Sequence, residues 1–181
     1  MKKMLLVLLV MVACSGQMCG TATTNTGVQN ICGRTYFEPT YRIGIDLPAG
    51  VGAPQGGETN NSVALKQTWD WATAPASKFV LVVSTPVGST TLEQVSQDSL
   101  TAFQQGNFTV MQSFKVTLED EGDAWYFALS PNDKDNISLE MVMTLSQGRL
   151  TTLSATYSST LPQDKTDAIG ATLRSLCADV E

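Results

Sequence analysis

Histidine is absent from this chain. Its absence excludes Ser-His-Asp and Cys-His catalysis and every zinc site built on imidazole. Cysteine is scarce: Cys14, Cys19, Cys32 and Cys177 are too scattered for a cysteine-only metal centre. Charge is also sparse, at 15% of residues, and the 17 acidic side chains outnumber the 11 basic ones. An acidic surface repels nucleic acid, so no nucleic-acid partner is expected. No Gly-rich phosphate loop with its Lys and Ser/Thr is present, nor a dinucleotide fingerprint. Gly56-Gly57 lacks the strand-to-helix setting such loops need and reads as irregular chain. These gaps predict a protein that is not an enzyme and takes no cofactor or metal. What is present is apolar: 43% hydrophobic residues in 181 suit one compact domain rather than disorder.

The N-terminus is the most directive segment. Lys2 and Lys3 precede an apolar run from Leu5 to Ala13, and Cys14-Ser15-Gly16-Gln17 follows. The run is shorter than the roughly 18–20 residues of a spanning helix, so it reads as a cleavable export signal. Ala13-Cys14 resembles a lipobox, where bacterial lipoproteins are acylated on cysteine and then cut; Met11 stands where Leu is usual. The expected organisation is a signal peptide at 1–13, lipidated Cys14 with a tether at 14–31, and a single domain at 32–181. Cleavage leaves 9 basic against 17 acidic residues. Ser15-to-Asn30 is rich in Gly, Ser, Thr, Asn and Gln, a flexible tether reaching about 20–25 Å. Ser15 is not the Asp of inner-membrane retention, so a lipid anchor in the outer membrane of a bacterial envelope is expected.

Beyond the cytoplasmic membrane the compartment is oxidising, and a disulfide is permitted. Three pairings of Cys19, Cys32 and Cys177 exist. Cys32 with Cys177 is the expected one, because both flank the folded region while Cys19 lies in the tether. Two buried free thiols are the alternative.

Tyr41 to Leu47 alternates large with polar or small residues, the pattern of a strand with one buried face. Residues 48–57 carry Pro48, Pro54 and four glycines, a long irregular loop. Val63, Leu65, Gln67, Trp69 and Trp71 share one face of the next strand, and Phe79 to Val83 reads as a strand covered on both sides. A helix is expected after Thr90, with Glu93 at capping-box spacing and Gly106 as a left-handed stop. Strands near 107–118, 123–129, 137–146 and 149–157 have short connections and so pair antiparallel. Leu161-Pro162 opens a last helix that buries Ile169, Leu173, Leu176 and Cys177. The fold class is α+β, a twisted antiparallel sheet with flanking helices.

This order resembles the PsbP-like fold, shared by an extrinsic photosystem II subunit, a Ran-binding import factor and several bacterial lipoproteins. The carriers are Tyr41-Arg42-Ile43-Gly44-Ile45-Asp46-Leu47-Pro48-Ala49-Gly50, the helix after Thr90-Thr91-Leu92-Glu93, and the terminal Leu173-Arg174-Ser175-Leu176. The resemblance covers residues 36–178, and Val51 departs from it where many relatives carry Trp. It implies an α/β/α sandwich and a non-enzymatic binding or assembly module, and it transfers no site residue.

Candidate sites follow from residue type. Trp69, Trp71 and Trp125 are the candidate platform for a small apolar or sugar ligand; burial in the core is the competing expectation for the first two. Glu119, Asp120, Glu121 and Asp123 surround a turn, as solvated acids or as a carboxylate pair for glycan hydrolysis. Asp133 and Asp135 offer oxygen to calcium, but lack the glycine and the final Glu of a calcium loop. Met141 and Met143 share a face with Leu139 and Leu145, which suits core filling. The leading expectation is a membrane-tethered, non-catalytic binding or scaffold module for an envelope protein assembly. Its alternatives are a ligand carrier using the tryptophans and a carboxylate-dependent hydrolase.

Overall fold

The structure, a computed structural model, describes residues 30, 32–57, 59–120, 122–132 and 136–178. The segment expected to be an export signal, Cys14, Cys19, Glu121, Asp133 and Asp135 lie outside the described residues.

The strands in chain order are β1 (Tyr36–Glu38), β2 (Ile43–Ile45), β3 (Gln55–Gly56), β4 (Val63–Asp70) and β5 (Lys78–Pro86). Helix α1 (Leu92–Gln105) leads into β6 (Phe108–Thr117), β7 (Asp123–Pro131), β8 (Ile137–Ser146) and β9 (Arg149–Ser158). Helix α2 (Gln163–Arg174) and β10 (Cys177–Ala178) close the chain. Seven of these strands make one antiparallel sheet in the order β3-β4-β5-β9-β8-β7-β6, and β1, β2 and β10 make a small second sheet. The β6 to β9 run is the meander that the short connections require. Its tightest turn sets Gln147 at φ 50° and Gly148 at φ 68°, the two left-handed residues that match strand twist in a two-residue hairpin.

Side chains alternate across the sheet, so two cores form. On one face Trp69, Trp71, Phe79, Leu81, Val83, Ala124, Val142, Leu153 and Ala155 pack with Ile169 and Leu173 of α2 and with Ile43 and Ile45 of β2. On the other, Phe127, Leu129, Met141 and Met143 pack beneath Val95, Leu100 and Phe103 of α1. Met141 and Met143 therefore fill core. The molecule is mainly sheet, and α1 packs chiefly on β6, β7 and β8. The layered sandwich implied by the resemblance is met only in part. For the same reason Val80 and Val82 are half-buried, not covered as Phe79, Leu81 and Val83 are.

Four local expectations shift. The strand expected over Tyr41–Leu47 shrinks to three residues, because Arg42 takes a left-handed φ of 54° and breaks the extended run. The glycine-rich loop is not wholly irregular: Gln55 and Gly56 pair with Thr68 and Gln67. Helix α1 is capped by Thr91, whose hydroxyl accepts from the Gln94 N–H at 3.2 Å, one residue later than Thr90. Gly106 has φ −89°, and the left-handed residue that ends the helix region is Asn107 at φ 69°. Asn tolerates that conformation better than other side chains do.

The Cys32–Cys177 disulfide is present. Cys177 pairs with Gly44 in the small sheet, and a Cβ on Gly44 would meet the Cys32 Cβ at 2.7 Å. Only glycine lets the bridge cross β2 at that point.

Candidate functional site at the end of the meander

The β6–β7 hairpin end is fixed from several directions. Leu118 N–H donates to the Gly122 carbonyl at 2.9 Å, and Glu119 N–H to the Arg174 carbonyl at 3.2 Å. The Arg34 guanidinium bridges Glu119 at 2.8 Å and Asp46 at 2.9 Å, tying the hairpin to the segment beside Cys32. Burial acts to raise the Asp46 carboxyl, but the Thr35 N–H and the Arg34 guanidinium outweigh it and hold it below its ordinary value.

Between this hairpin and the start of α1 lies a cleft of about 810 Å³. Leu92, Leu118, Trp125 and Leu145 supply apolar walls, and Glu93 and Asp120 supply carboxylates. Lys115 and Asp123, cross-strand neighbours of Trp125 and Thr117, close one side with an ion pair of 2.7 Å. The Trp125 indole N–H donates to the Ser113 hydroxyl at 2.9 Å, which fixes the ring orientation, and the residue is half-buried. The Thr144 hydroxyl donates to the Asp123 carbonyl at 2.8 Å and steadies the floor. A concave apolar site of this size with a few polar groups at its edge suits a small molecule or an inserted side chain.

Trp69 and Trp71 are not part of it. Trp69 is 0% exposed, stacked edge-on to Tyr36 with ring centres 4.9 Å apart. Trp71 is 3% exposed, its indole N–H donating to the Ala49 carbonyl at 3.0 Å. Both point to the core face set by Leu65, Phe79 and Leu81, so neither offers a surface to a ligand. Of the three tryptophans, Trp125 alone lines the cleft. The turn acids are separated in role: Glu119 is held by Arg34 and Asp123 by Lys115, while Asp120 caps the turn at the Gly122 N–H. Two carboxylates already engaged by cations are poorly placed for a shared proton-transfer task.

A second cluster escaped the sequence reading. Glu140, in β8, accepts from the Tyr157 hydroxyl, and Tyr126 lines the same hollow from β7. Burial and then the Glu140 carboxylate push both phenols above their ordinary range. The available signal was a lone acid in the apolar strand Ile137–Ser146, two residues from Val142 on the same face.

No family model and no curated protein matches the chain. Solved structures do. Cyanobacterial PsbP (CyanoP) from Synechocystis sp. PCC 6803 aligns with a TM-score of 0.56 at 12% identity, over 80% of this chain and 91% of that one. The fold is PsbP-like. A protein of unknown function from Pseudomonas aeruginosa aligns with a TM-score of 0.53 at 10% identity, over 72% of this chain and 100% of that one. At such identities the likeness is one of fold, and the cleft of this PsbP-like domain must be read from its own residues.

Proposed function

We propose that this chain is a lipid-tethered, non-catalytic binding module of the bacterial cell envelope, serving an envelope assembly. The cleft at Trp125 carries the binding part of this reading: it joins three leucines and an oriented indole to carboxylates at the rim. Acylation at Cys14 supplies the tether, by resemblance of the N-terminus to a lipobox. Two or three acyl chains hold firmly where one is marginal, and confinement to a surface raises the effective concentration of the domain there.

The same cleft favours a second reading, a carrier of a small apolar or sugar ligand. An indole face packs on apolar sugar or alkyl surface, and rim carboxylates accept from hydroxyl groups. The two readings part on the bound species. Mass spectrometry of the native protein tests the tether: an acylated N-terminal Cys14 is expected, and a chain that keeps Met1 contradicts it. Tryptophan fluorescence tests the cleft, because Trp69 and Trp71 are buried and Trp125 reports. Addition of envelope lipids or glycan fragments should shift the emission of the wild type and leave Trp125→Phe unchanged; an equal response in both removes the cleft.

A further inference from the structure

The face of the sheet that carries α2 has an open hollow toward its β6 edge. Directly across from Glu140 stand Ala128 on one side and Ala155 on the other. Two small neighbours leave the carboxylate at the floor of a depression of about 440 Å³, walled by Met111, Gln112, Tyr126, Ser138 and Tyr157. Tyr157, on one diagonal, donates to the carboxylate and orients it, and Tyr126 stands on the opposite diagonal. No ion pair to Glu140 occurs among the described residues; Arg174 is near enough to act on the Tyr126 phenol.

Beside this hollow stand the large apolar side chains that the described surface leaves most open, Met111 at 66% and Phe114 at 46% exposure. Phe114 faces Tyr126 across β6 and β7 with ring centres 5.0 Å apart. Met111 sits where the register slips between Val110 and Gln112, a bulge that turns its side chain outward. An acid held among aromatic rings is a receptor for a cation: the carboxylate accepts charge-assisted hydrogen bonds, and ring faces attract the positive group. A flexible Met and an exposed Phe at the rim add apolar contact of the kind found at protein interfaces. The chain's net charge of −6 complements a basic partner.

We propose that the hollow centred on Glu140, with Phe114 and Met111 at its rim, binds an arginine or lysine side chain of a partner protein segment whose flanking residues are apolar. This site is on the opposite side of the β7 pleat from Trp125 and does not depend on the cleft reading.

The test is an amide NMR titration of the folded domain with the peptide acetyl-Leu-Arg-Leu-Arg-Leu-amide, and with its counterpart carrying citrulline for arginine. Saturable shifts are expected at residues 112–114, 126–128, 138–140 and 157, with the citrulline peptide at least tenfold weaker. Glu140→Gln and Phe114→Ser should each weaken the arginine peptide about tenfold or more. The citrulline comparison needs no protein variant, so it decides even if Glu140→Gln fails to fold. Equal affinity for the two peptides, shifts that cluster at Leu92 and Trp125 instead, or no saturation at millimolar peptide overturns the proposal.

Discussion

Cys32 and Cys177 are joined across 145 residues of chain, and the bridge sits where β10 pairs with β2. It closes almost the whole described domain into one loop. Chain-entropy arguments put such a closure at about 2–5 kcal/mol, mostly through restriction of the unfolded state. Replacement of both cysteines by alanine should lower urea-unfolding stability by about that amount. An unchanged unfolding midpoint would show that the ends are held without it.

Trp69 should be a packing residue and nothing else. Its side chain is fully buried against Tyr36 and Phe79, and its indole N–H has no hydrogen-bond partner among the described residues. Trp69→Ala should cost about 3–5 kcal/mol, as large-to-small changes of buried aromatics do. Trp69→Phe should cost much less, since it also removes an unpaired buried donor. Chemical denaturation of the two variants checks the ordering.

The cap of α1 separates two adjacent threonines. Thr91 accepts from the Gln94 N–H, whereas the Thr90 hydroxyl donates to the Val87 carbonyl. Thr91→Ala should destabilise by about 1 kcal/mol, and Thr90→Ala by less. Thermal unfolding of both variants resolves the difference.

Three tyrosines should titrate late. Burial and Glu38 raise the Tyr36 phenol to about 12, and burial with Glu140 raises Tyr126 and Tyr157. A phenol whose folded value exceeds its unfolded value of about 10 stabilises fully below that pH. The contribution is lost as pH rises through the folded value. Tyrosinate absorbance should therefore appear late in the native protein and jump when alkaline unfolding occurs. A full, smooth titration near pH 10 in the folded state would contradict this burial.

The sequence made the meander legible because its turns are local: Gln147-Gly148 and the acids near Gly122 mark strand ends regardless of what packs on them. The disulfide was legible from position alone, since Cys32 and Cys177 bracket the patterned region. Faces were harder. Alternation put Trp69 and Trp71 on one side but not which side met α2 and β2, and Trp125 looked no different from them. What separates Trp125 is its face, a tertiary fact. It lies on the α1 side, beside the start of that helix, whereas Trp69 and Trp71 lie on the side of α2 and β2. Arg42 broke a strand that its neighbours' pattern supports, because the left-handed turn there is set by pairing with β1 and β10. Glu140 was silent because its meaning comes from two tyrosines on other strands.

The central claim is that the cleft beside Trp125 is where this domain takes its ligand. Amide shift mapping of the folded domain against fractionated envelope lipids and glycans tests it most directly. The account predicts saturable shifts concentrated at Leu92, Lys115, Leu118, Trp125 and Leu145 with at least one fraction. Saturable shifts confined to other surfaces, or none with any fraction, would contradict it.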